Sequence, residues 1–193
     1  MLLKRPATDA FEALTVFSAE SGVLRVLHRL PRKPSPAHVP LDLFDETAFW
    51  LEAASGGNWF VKEARLITRH TGIGQRYDRL QAACALANLI ARNPSHEETR
   101  ESLYHLLKTA LAAFSTADRP DVVWFKSLYC FARDEGHPLK QHWFPTLPAD
   151  DRARVTELLN RPTAEQTVER DQVTRLHRRL EEYLEGHTEL LLK

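Results

Sequence analysis

Hydrophobic and polar positions alternate along the first part of the chain and then change period. In Val23–Leu30, alternation sets Leu24, Val26, His28 and Leu30 on one face and Arg25, Leu27 and Arg29 on the other. In Glu12–Ser18, Leu14 and Val16 share a face, and Thr15 and Phe17 share the opposite one. Ala19-Glu20-Ser21-Gly22 joins the two runs, with Gly22 as the residue suited to a positive φ. Pro31, Pro34, Pro36 and Pro40 make the next stretch a loop, because proline cannot donate to a ladder. Strands are also expected at Leu2–Lys4, around Leu43–Ala53, and at Trp59–Thr68 after the turn Ser55-Gly-Gly-Asn58. Five short strands in ~70 residues suit a small closed or partly open barrel.

After Thr71-Gly-Ile-Gly74, which reads as a flexible joint, apolar residues recur at helical spacing. Tyr77–Ala91 is an alanine-rich helix. Ser95 and Glu98 form an expected capping box for a helix carrying Leu103, Leu106, Leu107, Ala110, Leu111 and Phe114. Asp121–Asp134 is apolar on most sides and is the expected central buried helix, stopped by Gly136 and Pro138. A short helix to about Asn160 and a charged amphipathic helix at Ala164–Leu184 complete the chain.

These elements predict an α+β protein: a five-stranded N-terminal unit over 1–72 and a helical unit over 73–193. Its 193 residues suit one medium domain or two small ones. No apolar run is long enough to span a membrane, and no export signal is apparent, so a cytoplasmic protein is expected. Cys84 and Cys130 lie within apolar helical patterns and read as buried thiols. The 26 basic and 26 acidic side chains cancel, which argues against bulk electrostatic coating of nucleic acid. Any anion-binding surface is therefore a local patch.

Catalytic chemistry finds little support, and no enzyme, cofactor or metal is expected. His137 and His142 are poorly spaced for a metal and read as loop residues. Gly72-Ile-Gly74 is too short for a dinucleotide fingerprint. Asp42, Asp45 and Glu46 read as a solvated approach to a strand. The stronger signal is basic. Arg25, Arg29, Arg32 and Lys33 lie on one strand face and the loop after it, with Lys4 and Arg5 nearby. Guanidinium groups there can grip phosphates, and Phe11, Phe17 or Trp50 can stack on bases, although aromatics at such positions more often pack into the core. The same charges also suit a solvated edge that resists aggregation. On the residues alone both readings stand.

The order of features resembles the bacterial recombination mediator RecO family. The similarity rests on Glu12-Ala-Leu-Thr-Val-Phe-Ser-Ala-Glu-Ser-Gly22, Val23-Leu-Arg-Val-Leu-His-Arg-Leu-Pro-Arg-Lys33, Pro40–Phe49 and Phe60–Leu66. In the helical half it rests on Leu103–Leu111 and on Trp124–Pro138 with its Gly-x-Pro stop. The resemblance implies an N-terminal five-stranded OB-fold barrel followed by an α-helical domain. It implies binding of single- and double-stranded DNA, annealing, and help in loading recombinase during DNA repair and recombination, in the bacterial nucleoid. Implied partners are RecR and single-strand-binding protein. By position, Arg25, Arg29 and Arg32 match family basic residues, and Lys33 extends the loop.

The chain departs from the family at three places. The four-Cys zinc element common after the Gly-x-Pro stop is replaced by His142–Pro148. Trp124 stands where a basic residue often grips the acidic tail of single-strand-binding protein, and His187-Thr-Glu-Leu190 stands at a usually basic ending. Lys126 and Arg133, seven apart on one helical face, suit a substitute cationic clamp for a partner, and equally a solvated stripe on a mostly buried helix. Four phosphate contacts would give a log–log salt slope of roughly −3 to −4. The rival expectation is a protein-interaction module that keeps the fold without DNA activity.

Overall fold

The structure, a computed structural model, describes residues 1–8, 10–31, 40–53 and 57–192, with the side chains of 6–8 left aside. Strands β1 (Leu3–Thr8), β2 (Phe11–Ser18), β3 (Gly22–Arg29), β4 (Glu46–Ala53) and β5 (Trp59–Thr68) come first. Helices α1 (Tyr77–Arg92), α2 (Arg100–Thr116), α3 (Pro120–Asp134), α4 (Leu139–His142), α5 (Ala149–Asn160) and α6 (Arg170–His187) follow. Strands then helices make the class α+β.

The strands form one mixed sheet in the order β1-β2-β3-β5-β4. β1, β2 and β3 are an antiparallel meander, β3 runs parallel to β5, and β4 is antiparallel to β5. Among the described residues no ladder joins β4 back to β1, so the sheet is open. Gly22 adopts φ +69° at the β2–β3 turn, as its position required. That turn lies against the helical half: Arg100 donates to the Glu20 carbonyl at 3.1 Å.

Alternation decides which side of the sheet is buried. Leu14, Val16, Val26 and Leu41 form a small core, covered by Phe49, Leu51, Trp59 and Val61. A larger core fills the helical half around Leu86, Phe114, Phe125, Leu128, Phe131 and Leu180, and Leu2 and Phe44 reach into it from the strand half. Burying a side chain of this size contributes roughly 1.5–3 kcal/mol. Helix α3 is the central one, with Pro120 in its first turn, where a missing N–H costs nothing.

Three local expectations change. The capping box at Ser95 and Glu98 does not form: a 3-10 turn at Glu97–Thr99 precedes α2, and neither element has a side-chain cap. Gly72 is not a flexible joint but a close-packed one. A Cβ there would sit 2.0 Å from the Ser115 carbonyl oxygen. Beside it the buried Arg79 donates to the carbonyls of Ser115, Thr116 and Ala117 at 3.0, 2.9 and 2.9 Å, satisfying the orphaned end of α2. Asp45 is not solvated but 1% exposed. It accepts from Arg69 at 2.7 and 3.0 Å and from the Asp42 N–H at 2.9 Å, closing the turn in which Phe44 takes φ +67°.

Candidate nucleic-acid interface

Register places the sheet's outward side chains. Arg25 lies opposite Thr15, Leu27 opposite Ala13, and Arg29 opposite Phe11. Arg5 on β1 also lies opposite Ala13, and Phe60 on β5 is level with Leu27. Facing residues share a side of the sheet, so Arg5, Phe11, Arg25, Arg29 and Phe60 occupy one face. The Phe11 and Phe60 rings pack at 5.6 Å between centroids, tilted by 48°. Arg5, Arg25 and Arg29 are exposed, and among the described residues none has an ion-pair partner. Arg25 and Arg29 are spaced by about 13 Å along β3.

Trp50 extends this face toward the sheet edge. Glu52 lies opposite Phe60, so Trp50, two residues earlier, shares its side and is 49% exposed. A bulge in β5 follows Val61. Lys62 pairs with Glu52, while Glu63 and Arg65 stay exposed. The face thus offers two packed rings, an indole and three guanidiniums without an ion-pair partner among the described residues, with its acids, Glu52 and Glu63, on β4 and β5.

The expected basic set divides. Lys4 lies opposite Leu14, on the buried side, and does not join Arg5. Its ammonium is 3.0 Å from Glu12 and donates to the Leu41 carbonyl at 2.7 Å. Glu12 also meets His28 Nδ1 at 2.9 Å, deep under β2 and β3. Burial pushes the Glu12 carboxyl up, but the bonds from His28 and Lys4 outweigh it and hold the group below its ordinary 4.5. Arg32 and Lys33 lie outside the described residues. Phe17 packs against the helical core rather than offering a stacking surface.

Lys126 and Arg133 are both engaged within the chain. Lys126 donates to the Arg161 carbonyl at 2.6 Å, and burial lowers its pKa. Arg133 pairs with Asp134 at 2.7 Å. Trp124 rests 5.3 Å from the His177 ring. Cys84 and Cys130 are partly buried, and burial pushes both thiols up, away from reactivity. Among the described residues no three His, Cys, Asp or Glu side chains converge on a metal site. Among the described residues no helix is long and apolar enough to cross a membrane.

Sequence reasoning missed Phe60, Lys62 and Arg65. Phe60 stands 49 positions from Phe11 in the chain and meets it only through the parallel β3–β5 pairing. No family model matches the chain, and no curated protein is significantly similar to it.

Proposed function

We propose that the chain binds DNA through the outer face of its sheet, as a RecO-like protein of repair and recombination that anneals strands and assists recombinase loading. The observation that carries this reading is the cluster of Arg5, Arg25 and Arg29 around the Phe11–Phe60 pair. Unpaired guanidiniums neutralise phosphates, and aromatic faces accept bases of any identity. Single- and double-stranded DNA are the ligands of this reading, with RecR and single-strand-binding protein as partners in the bacterial nucleoid.

An OB-fold reading of the strand half is supported by its strand order. It is also supported by the segment that leads into β4. Phe44 N donates to the Met1 carbonyl at 3.0 Å, Met1 N donates to the Asp45 carbonyl at 2.7 Å, and Lys4 reaches Leu41. Residues 41–45 therefore run antiparallel beside the start of the first strand, on the side where such a barrel would close.

The test is fluorescence anisotropy with a labelled oligonucleotide, comparing wild type with the double variant Arg25→Glu, Arg29→Glu. Binding at low salt should weaken at least about tenfold in the variant, or ~1.4 kcal/mol. Binding that is absent in the wild type, or equal in the two proteins, would sink the proposal. A protein-interaction module is the second reading, favoured by Glu52 and Glu63 beside Trp50 on the same face. It predicts a retained protein partner and no oligonucleotide binding.

A further inference from the structure

On the other side of the sheet from Arg25 and Arg29 lies a cavity of about 380 Å³. It opens between the β2–β3 turn and the start of β4, and α2 lies across it. Its apolar walls are Val16, Leu24, Phe49 and Trp59 from the strands and Leu107 and Leu111 from α2. This volume and lining fall within the range of small-molecule sites, which recur at the mouths of barrel-like sheets.

The buried charges on the polar side of the cavity are matched, while Glu20 at its rim is exposed and has no ion-pair partner among the described residues. Burial lowers the pKa of the Met1 amino group, which donates to the Asp45 carbonyl, to about 6. The Glu46 carboxylate accepts from Tyr104 at 2.8 Å and from Lys108 at 2.9 Å. Asp45 is matched by Arg69. Burial lowers His70 below its ordinary value of 6.5, so its ring is neutral at neutral pH. Inside the cavity a charged ligand would have to break the Glu46–Lys108 pair or lie unpaired against apolar walls, since the one unmatched carboxylate, Glu20, sits exposed at the rim. One polar group stands apart: Thr47 lines the cavity, and its hydroxyl is buried with no hydrogen-bond partner. A buried hydroxyl in that state is a standing cost that a ligand's polar group can relieve.

We propose that this cavity binds an uncharged, mainly apolar small molecule carrying a single hydrogen-bonding group, such as a hydroxyl or carbonyl. The site is separate from the outer basic face, so its occupancy is independent of oligonucleotide binding.

The test uses the full chain and the neutral dye Nile red, displaced by 1-octanol, octanoate or octylammonium, which share one tail and differ in head charge. The dye should bind saturably, and 1-octanol should displace it at least about tenfold better than either ion. A missing saturable signal, or an ion that competes as well as the alcohol, would overturn the proposal. Leu24→Trp should fill the cavity and abolish dye binding. Thr47→Val, which keeps the side-chain shape, should weaken 1-octanol severalfold while raising thermal stability, because it removes the buried hydroxyl that has no partner. Dye binding untouched by Leu24→Trp in a folded protein, or octanol affinity untouched by Thr47→Val, would overturn it. If Leu24→Trp does not fold, the Thr47→Val result decides. Arg25→Glu with Arg29→Glu should leave dye binding intact, which separates this site from the proposed DNA face.

Discussion

Two sets of arginines, one in the helical half and one on the outer face of the sheet, have opposite surroundings. In the helical half, Arg175 and Arg179 close on the buried Asp151 at 2.6 and 2.7 Å, joining α6 to α5. Arg119 pairs with Asp121 at 2.8 Å and reaches the Val168 carbonyl, and Arg79 caps α2. On the sheet, Arg5, Arg25 and Arg29 stand exposed, with no acid against them among the described residues. A guanidinium whose donors are all used holds helices together. One whose donors are unused is available to an external anion. The chain is neutral as a whole because its 26 basic and 26 acidic side chains cancel, yet these two sets of arginines differ in their partners.

The largest effect expected from this contrast is on stability. Arg79→Ala would strand three carbonyls at the end of α2 and leave a gap beneath Gly72. It should cost about 3 kcal/mol, lowering Tm by roughly 6–12 °C. Arg25→Ala, exposed and unpaired, should change stability by no more than about 0.5 kcal/mol. Thermal unfolding of both variants checks this. Equal losses in the two would erase the distinction.

A similar contrast holds for a buried base. His177 lies under Trp124, its Nε2 without a partner, and burial pushes its pKa to about 4 despite Glu181 at 3.6 Å. The folded state therefore holds the ring neutral, while the unfolded chain protonates it near the ordinary 6.5. Its contribution is present above 6.5 and is lost as pH falls toward 4, by up to ~3 kcal/mol. Urea unfolding at pH 7, 5.5 and 4.5 should show this loss, and His177→Leu should remove it. An unchanged pH profile in the variant would assign the loss to other groups.

Counterion release gives a finer discrimination on the sheet itself. Three phosphate contacts from Arg5, Arg25 and Arg29 predict a log–log salt slope of roughly −2 on single strands and −3 on duplex. Each Arg→Ala substitution should reduce that slope by about 0.7–0.9. Lys4→Ala should leave it unchanged, because its ammonium is held by Glu12 and Leu41. A slope that drops with Lys4 and not with Arg5 would reverse the assignment of faces.

That last pair shows what the sequence made legible. Neighbours on a strand point to opposite sides, so Lys4 and Arg5 could never share a face, and grouping them overlooked the alternation already applied to β3. The same alternation placed Val26 and His28 inside and Arg25 and Arg29 outside correctly. β5 and the start of α1 fall where period and turn residues set them. Long-range partners were not legible. Asp45 looked solvated until Arg69, 24 positions away, came to meet it. Gly72 looked loose until the end of α2 lay across it. Phe60 became part of the outer face only through a parallel pairing that no local pattern announces.

The smallest expected effect concerns the acid that removes Lys4 from the basic set. Glu12 is buried under the sheet and bonded to both Lys4 and His28. Its folded pKa lies below the ordinary 4.5, because those bonds outweigh the burial that would raise it. A depressed carboxyl contributes stability that is full above 4.5 and is lost as pH falls through the lower folded value. Glu12→Gln keeps the shape and removes the charge, so it should flatten the acid limb of unfolding below pH 4.5 in the strand half. It should also free the Lys4 ammonium. If the freed side chain can swing outward, oligonucleotide affinity rises slightly and the salt slope steepens. If it stays bonded to Leu41, affinity is unchanged and only the acid limb moves. Wild-type acid unfolding retained in Glu12→Gln would show that the Lys4–Glu12–His28 cluster does not hold the strands together, and that the division between fastening and available cations does not extend to the sheet.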